Sequence, residues 1–184
     1  MNNLLKLREN LKKLPFDNFW QIGETTGAFL RDLIIENSYT NILEVGTSSG
    51  YSATWLLEGL QNQGESFLTC IESHKERHEL ATQNLTSVCP DNVSLNVVLS
   101  HAPECFQSGL NLKYDLVFID ATKRQTIEIF ELLYSNLNQG GSIVVDNVLS
   151  HLEKMQPFLD YLESQSINFD LHQFDAGVVH VKKN

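Results

Sequence analysis

Residues Glu44–Ser52 read EVGTSSGYS and join a short apolar segment, Asn41–Val45, to a longer one, Tyr51–Leu60. The first segment has the length and flanks of a buried strand, and the second has apolar residues at helical spacing. Gly46 and Gly50 carry no Cβ, so a ligand can approach the backbone of this turn closely, and free amides at the start of the helix favour an anionic group. The alternative is a plain strand-to-helix turn that binds nothing.

The same alternation of strand and helix continues along the chain. Five short apolar runs are predicted to be parallel strands: Asn41–Val45, Phe67–Ile71, Val93–Leu99, Tyr114–Ile119 and Ser142–Val145. Four longer stretches between them are predicted to be crossover helices: Tyr51–Leu60, Lys75–Val88, Pro103–Leu110 and Thr126–Leu137. Because parallel neighbours must be joined by a crossover, this pattern predicts an α/β sheet with helices on both faces.

The C-terminal part of the chain predicts an antiparallel end to this sheet. A last helix, His151–Ser164, is followed by two strand-like runs, Asn168–Phe174 and Val178–Val181. They flank a turn at Asp175–Gly177, in which the glycine supplies the positive φ that a tight hairpin demands. We therefore predict a Rossmann-like, doubly wound, mostly parallel sheet of seven strands with an antiparallel C-terminal hairpin strand.

The length of 184 residues fits one compact domain over residues 1–184. Two helices are predicted before the first strand, Leu4–Leu14 and Gly23–Ile35, separated by Pro15 and several aromatic residues. We expect residues 1–37 either to cap the sheet or to form a dimer contact.

Composition limits the classes of binding partner and the cellular compartment that we expect for this chain. The net charge of −10 opposes binding to phosphate backbones and to anionic lipid. Three basic pairs, Lys12-Lys13, Lys123-Arg124 and Lys182-Lys183, are interpreted as ordinary solvated surface. The three cysteines form no Cys-x-x-Cys pair, and no apolar run approaches the ~18 residues of a membrane span. With no secretion signal in the sequence, we expect a cytoplasmic protein without a nucleic-acid or membrane partner.

Two features near the first two strands favour a nucleoside cofactor. The glycines of the first turn are spaced Gly-x-x-x-Gly, which matches neither the dinucleotide fingerprint nor a P-loop, so a nicotinamide-dependent oxidoreductase is disfavoured. Glu72 closes the second strand, where its carboxylate can accept hydrogen bonds from both hydroxyls of a ribose. The alternative for Glu72 is a surface glutamate at the start of the next helix.

The ends of the fourth and fifth strands predict a cation site. Asp120 closes one apolar run, and Asp146 with Asn147 closes the next. Neighbouring strands lie ~4.8 Å apart, and two carboxylates placed so close repel each other unless a cation lies between them. Hard oxygen donors suit Mg²⁺, although both aspartates could instead cap the following helices. Lys123 could reach the same cavity. Near a cation its ammonium form is disfavoured, so Lys123 is a candidate general base. The alternative is an ordinary solvated lysine.

Four motifs together resemble the cation-dependent O-methyltransferases, the family of catechol and caffeoyl-CoA O-methyltransferases and their bacterial relatives. The motifs are Glu44–Ser52, Glu72, the run Phe118–Lys123 and the run Gly140–Asn147. The resemblance covers the chain from about Gly23 to its end, and the four motifs stand in the family's order.

The resemblance implies a role for each matching residue. Asp120, Asp146 and Asn147 match the family's metal ligands, and Lys123 matches its catalytic lysine. The cofactor, S-adenosylmethionine, is expected to contact Glu44, Gly46, Ser48, Ser52, Glu72, Ala102 and Asp120. Two departures are visible: Ser100-His101-Ala102 replaces the usual Gly-Asp-Ala or Gly-Ala-Ser near the adenine, and the chain after Asn147 enters a helix almost directly, which predicts a more open acceptor pocket.

The reaction implied by the resemblance is methylation of a hydroxyl oxygen on a small, catechol-like acceptor, with Mg²⁺ or another divalent cation. Two other functions remain open: methylation of a hydroxyuridine in tRNA, which the acidic composition disfavours, and a non-catalytic module that binds S-adenosylmethionine. A homodimer is a further expectation from the family.

Overall fold

The computed structural model describes residues 3–15, 19–107 and 113–184. The strands are β1 (Asn41–Val45), β2 (Ser66–Glu72), β3 (Val93–Leu99), β4 (Tyr114–Ile119), β5 (Leu137–Val145), β6 (Asp170–His172) and β7 (Val178–Lys182). The helices are α1 (Asn3–Leu11), α2 (Glu24–Asn37), α3 (Tyr51–Leu60), α4 (Lys75–Thr86), α5 (Glu104–Gln107), α6 (Thr126–Ser135) and α7 (Leu152–Ser164), with a 3-10 turn at Lys123–Gln125. None of the helices in these ranges is long and apolar enough to cross a membrane.

The strands form one sheet in the order β3-β2-β1-β4-β5-β7-β6. The first five strands are parallel, whereas β7 runs antiparallel to β5 and to β6. The predicted fold class is therefore confirmed. The strand order reverses between β1 and β4, and in open α/β sheets ligands bind in the crevice beyond the carboxyl ends of the strands at such a point.

Apolar residues from helices cover both faces of the sheet. On one face α2 and α3 contribute fully buried side chains such as Leu30 and Leu56 to a cluster with β1 and β2. On the other face α6 and α7 contribute Phe130 and Phe158, whose rings meet edge to face at 5.4 Å. Strands buried on both faces need continuous apolar runs, which explains the patterns from which they were predicted.

Helix α1 packs against α3 through a buried arginine. Arg8 lies over the ring of Trp55, with its guanidinium carbon 3.5 Å from the ring centroid. Its Nη2 donates a hydrogen bond to Glu58 Oε2 at 2.7 Å, and its Nε donates to Thr54 Oγ1 at 3.0 Å. Because a buried charge is costly unless it is paired, these contacts fix the position of α1 on α3.

Several element bounds differ from the predictions. The fifth strand begins at Leu137, five residues before the predicted Ser142. The hairpin strand β6 covers only Asp170–His172 of the predicted Asn168–Phe174. The predicted helix Pro103–Leu110 is seen as α5, and its last three residues lie outside the described residues.

Candidate active site

The turn after β1 requires glycine at position 46. Gly46 has a φ of +99°, and a Cβ there would clash with the carbonyl oxygen of Asp120 at the end of β4. The Gly46 and Thr47 amides both donate to the carbonyl of Ile71 in β2, at 2.9 and 3.1 Å. The absence of a side chain thus lets the ends of β1, β2 and β4 come together at the crevice.

Glu72 is held at the end of β2 by backbone amides. Its Oε2 accepts a hydrogen bond from the Ser48 amide at 2.8 Å, and its Oε1 accepts one from the His74 amide at 2.9 Å. A carboxylate has about four acceptor sites, so these two bonds leave capacity for further donors. Glu72 and Ser48 both line the cleft described below.

Glu44 and Ser52 lie behind this turn and do not line the cleft. The Glu44 carboxyl is fully buried and accepts a hydrogen bond from Thr47 Oγ1 at 2.7 Å. Burial raises the pKa of Glu44, while hydrogen bonds from the Ser52 and Thr47 side chains act in the opposite direction. In this structure Glu44 and Ser52 stabilise the turn from the side that faces away from the cleft.

The ends of β4 and β5 bring the predicted acidic residues together. The strands are neighbours, with Ile119 opposite Val145, so Asp120 and Asp146 follow at the same edge. Asp120 Oδ1 lies 3.1 Å from Lys123 Nζ, and both side chains are largely shielded from solvent. Burial and the neighbouring Asp120 charge raise the pKa of Asp146 to about 7, whereas Lys123 lowers it.

The Asp146 carboxyl has unequal oxygens. It is 1% exposed, and its Oδ2 accepts a hydrogen bond from Asn147 Nδ2 at 2.7 Å. Its Oδ1 is buried and has no hydrogen-bond partner among the residues that the structure describes. A buried polar atom without a partner costs about 1–3 kcal/mol, so a carboxyl oxygen left in this state indicates a missing donor or cation.

The donors at this edge are two carboxyl groups and one amide. Within residues 3–15, 19–107 and 113–184, no group of three or more His, Cys, Asp or Glu side chains is placed to hold a metal ion. Oxygen donors of this mixed kind suit Mg²⁺, which keeps several positions for water or substrate. The predicted cation site at Asp120, Asp146 and Asn147 fits the observed surroundings and stays a prediction.

A cleft of about 890 Å³ opens at this end of the sheet. Seven of the predicted residues line it: Gly46, Ser48, Glu72, Ala102, Asp120, Lys123 and Asn147. Asp146 is not among the lining residues and lies directly behind Asn147. Ser100 and His101, which depart from the family pattern, also line the cleft.

The cleft wall also contains residues that were not predicted as site residues, among them Trp20, Arg77, Arg124, His151 and Lys154. Trp20 is 63% exposed, and the Arg77 guanidinium lies 5.7 Å from its ring centroid. Arg124 was interpreted as solvated surface, and its side chain is exposed in the structure although it borders the cleft. The position of Lys154 depends on the packing of α7, which no local pattern reveals.

Comparisons with known proteins identify relatives of this chain. A catechol O-methyltransferase of Mycobacterium tuberculosis is 33% identical over 129 residues, which are 70% of this chain and 57% of that protein. A catechol O-methyltransferase of Niastella koreensis is 29% identical over 70% of this chain and 58% of that protein. This chain therefore spans less than two thirds of the length of these relatives.

A solved structure shares the fold over nearly the whole chain. The O-methyltransferase of Bacillus cereus, solved in complex with SAH, superposes with a TM-score of 0.84 at 21% identity and covers 99% of this chain and 90% of its own. The family model described as O-methyltransferase matches residues 1–178. This chain belongs to the O-methyltransferase family.

Proposed function

We propose that this chain, acting as a single domain, transfers a methyl group from S-adenosylmethionine to a hydroxyl oxygen of a small, catechol-like acceptor. A divalent cation held by Asp120, Asp146 and Asn147 takes part in this proposal. The observation that carries it is the buried Asp146 Oδ1, which lies beside Asp120 at the ends of neighbouring strands and has no hydrogen-bond partner in the described part of the chain. The name of the mycobacterial relative supports the choice of a catechol-like acceptor.

The β1 and β2 side of the cleft is assigned to the cofactor. Glu72 retains free acceptor sites for ribose hydroxyls, and Gly46 leaves the backbone open to close approach. Ser48 and Ala102 line the same wall. Glu44 and Ser52 act indirectly, because the buried Glu44 carboxyl stabilises the turn that carries Gly46.

The β4 and β5 side is assigned to the acceptor. A divalent cation bound there would lower the pKa of an acceptor hydroxyl, and S-adenosylmethionine would supply a methyl group on a sulfonium. Asp120 orients Lys123 through the 3.1 Å contact between Oδ1 and Nζ. Lys123 Nζ takes the hydroxyl proton, the oxygen forms a bond to the methyl carbon, and the bond between that carbon and sulfur breaks. The products are the methyl ether and S-adenosylhomocysteine.

Positioning is the main contribution of this chain's residues. The Gly46 and Thr47 amides join the end of β1 to β2, and the Asp120 amide joins the end of β4 to β1 by donating to the Val45 carbonyl at 2.9 Å. The two sides of the cleft are therefore held in a fixed relation. Holding nucleophile and methyl group at near-attack distance contributes up to ~7–11 kcal/mol in favourable systems.

The test measures S-adenosylhomocysteine from protein, S-adenosylmethionine and a panel of catechols, with Mg²⁺ or with EDTA. We expect turnover with Mg²⁺ that EDTA abolishes and that the Asp120→Ala variant lacks. Asp91→Ala, at an exposed aspartate before β3, serves as the control and should retain full turnover. Turnover that is indifferent to EDTA would remove the cation from the proposal, and the absence of turnover with every catechol would remove the acceptor class.

A further inference from the structure

A carboxyl group from the C-terminal hairpin caps the N-terminus of α2. The N-cap residue, Gly23, has no side chain that could accept a hydrogen bond from the first amides of the helix. Instead, Asp175 Oδ2 accepts from the Thr26 amide at 2.7 Å and from Thr26 Oγ1 at 2.8 Å. The first amides of a helix have no partner within it and carry a partial positive charge, so a carboxylate is favourable there. The contact spans 149 positions of sequence and joins the turn between β6 and β7 to α2.

The local packing is adapted to this contact. Asp175 borders solvent, but its partner Thr26 is fully buried. A Cβ at Gly23 would overlap the Asp175 carboxyl group, so this group can reach the helix because position 23 is glycine. The contact therefore differs from a pairing of two exposed side chains, which solvent could replace without any change in packing.

The same turn holds the segment that follows Asn147. Three consecutive amides, those of Val148, Leu149 and Ser150, donate to the Gly177 and Ala176 carbonyls at 2.9–3.0 Å. Asn147 itself has a φ of +63°, in the left-handed region. A residue other than glycine stays in that region only where its surroundings hold it there. The bonds from the turn thus fix the backbone that carries the Asn147 side chain.

Asp175 lies between two walls of the cleft. On one side Trp20 and Gln21, which line the cleft, lie just before the helix that Asp175 caps. On the other side Ala176 lines the cleft and accepts two of the three bonds from the segment after Asn147. Asp175 itself is not a lining residue. A shift of the turn relative to α2 would therefore change the distance between these walls and the orientation of Asn147.

We propose that Asp175 is a positioning residue for methyl transfer. Its carboxylate fixes the hairpin turn against α2, and the turn holds Asn147 and the cleft wall beside it in the orientation that the reaction uses. This inference rests on the proposed function, since Asn147 belongs to the proposed cation site. Asp175 acts through Thr26 and the backbone of the turn, and it contacts neither the cofactor nor the acceptor.

The kinetic test compares two substitutions of Asp175. Asp175→Asn keeps an oxygen that can accept both bonds from Thr26, and asparagine tolerates the φ of +49° at this position. Asp175→Gly also tolerates this φ but removes the acceptor. With the best acceptor of the catechol panel, kcat per folded molecule should fall about 10–100-fold in Asp175→Gly, because a displacement of about 1 Å far from the chemistry can have an effect of this size. Asp175→Asn should retain most of the wild-type kcat.

Two controls separate positioning from other effects. The Kd of S-adenosylhomocysteine, measured by calorimetry, should be unchanged in both variants, since Gly46 and Glu72 lie on the other side of the cleft. Ser166→Gly introduces glycine at an exposed residue with a similar φ of +54°, after α7, and should retain full kcat.

A substitution at the opposite side of the contact tests the route of the effect. Gly23→Ala leaves Asp175 in the chain but obstructs the approach of its carboxyl group, so it should lower kcat as Asp175→Gly does. Combining the two substitutions should cause little further loss, because both remove the same contact. Fully additive losses would mean that the two residues act independently and would overturn the inference.

Hydrogen exchange measures the position of the turn without any turnover. In Asp175→Gly the amides of residues 148–150 should exchange at least about tenfold faster than in the wild type, whereas the Gly46 and Thr47 amides should keep their rates. In Asp175→Asn all five amides should exchange as in the wild type. If no catechol is methylated, the proposed function fails, and the exchange of residues 148–150 alone decides whether Asp175 positions this segment.

Two other results would overturn the inference. Unchanged exchange of residues 148–150 in Asp175→Gly would mean that the turn does not depend on the carboxylate. Faster exchange with a wild-type kcat per folded molecule would mean that Asp175 contributes to stability alone.

Discussion

The carboxyl groups at the two ends of the central sheet differ in the hydrogen bonds that they accept and in the direction of their pKa shifts. At the amino end of β4, Asp115 accepts hydrogen bonds from the Thr40 and Asn41 amides, both at 2.9 Å, and from Asn138 Nδ2 at 2.7 Å. Burial alone would raise the pKa of Asp115, but these bonds outweigh it and lower the pKa. At the carboxyl end, Asp146 has one donor for two oxygens and a pKa raised to about 7.

This difference distinguishes a carboxyl group with a structural role from one that is proposed to bind a ligand. Asp115 has donors for both oxygens and ties the start of β4 to β1 and β5, so nothing is left for a ligand. Asp146 keeps a buried oxygen that no described residue contacts by a hydrogen bond. This oxygen destabilises the free protein and favours the binding of a group that supplies the missing positive charge. The unpaired Asp146 Oδ1 is therefore the feature of the carboxyl end on which the proposed cation site depends.

The largest expected difference between the ends is in catalysis and concerns two lysines. Lys123→Met should lower kcat by about 10²–10⁴-fold, since it removes the proposed proton acceptor. At the other end, Lys183 Nζ donates to the Tyr134 and Leu137 carbonyls at 2.9 and 3.0 Å. Lys183→Met should cost about 1 kcal/mol of unfolding free energy and leave kcat unchanged. Initial rates of S-adenosylhomocysteine formation and urea titrations measure both, and a similar loss of kcat in the two variants would contradict the comparison.

The second difference concerns two glycines with positive φ. Gly46 faces the Asp120 carbonyl, whereas the position of a Cβ at Gly140, near the amino end of β5, is open. Gly46→Ala should cost about 3 kcal/mol from the clash and the strained φ, and Gly140→Ala only about 1 kcal/mol from φ alone. Chemical denaturation of both variants gives the two costs. Equal costs would mean that the ends of β1 and β4 are not tightly joined.

The third prediction tests the structural role of Asp115. Asp115→Ala leaves the Thr40 and Asn41 amides and Asn138 Nδ2 without their acceptor, so we expect the unfolding free energy to fall by about 2–3 kcal/mol. Methyl transfer per folded molecule should be unchanged. Asp91→Ala, at an exposed site, should change stability by less than about 0.5 kcal/mol. A loss of activity in Asp115→Ala at full stability would assign this end a function.

The carboxyl end was the more predictable of the two. The runs Leu116–Ile119 and Ile143–Val145 are uninterrupted and apolar, and the acidic residue after each marks both the strand end and the place where a ligand can be reached. Glu72, Asp120 and Asp146 were located by this local pattern. Their meeting at one edge followed from the parallel arrangement alone.

The amino end was less predictable because its order depends on distant partners. The start of β5 contains Asn138, Gln139 and two glycines, a composition typical of a turn. It is a strand because Leu137 pairs with Tyr114 across a register shift and because Gly141 is compatible with the close approach of the Asp115 carbonyl. The same limit applies to Lys154, whose place in the cleft depends on how α7 packs.

The smallest expected effect is an increase in stability on substitution of Asp146, whereas the substitution of a buried aspartate usually lowers the free energy of unfolding. The pKa of Asp146 is about 7 in the folded protein and near 3.8 when the chain is unfolded, so the folded state holds its proton more tightly. Stability from this group is therefore complete below about pH 4 and is lost as the pH rises towards 7. Asp146→Asn mimics the protonated form, and in metal-free buffer it should be more stable than the wild type by about 1–3 kcal/mol at pH 8, with an advantage that is nearly gone at about pH 4.

Mg²⁺ should act on the two proteins differently. A cation that binds only the folded state raises its stability, so the melting temperature of the wild type at pH 8 should rise with Mg²⁺ concentration. Asp146→Asn should not respond, because the substitution removes the charge that the cation offsets, while Asp91→Asn should respond like the wild type. Melting curves at pH 4 and pH 8, with EDTA or with Mg²⁺, measure all four conditions. If Asp146→Asn destabilises the protein at pH 8 without metal, Asp146 is satisfied in the free protein as Asp115 is, and the two ends of the sheet do not differ.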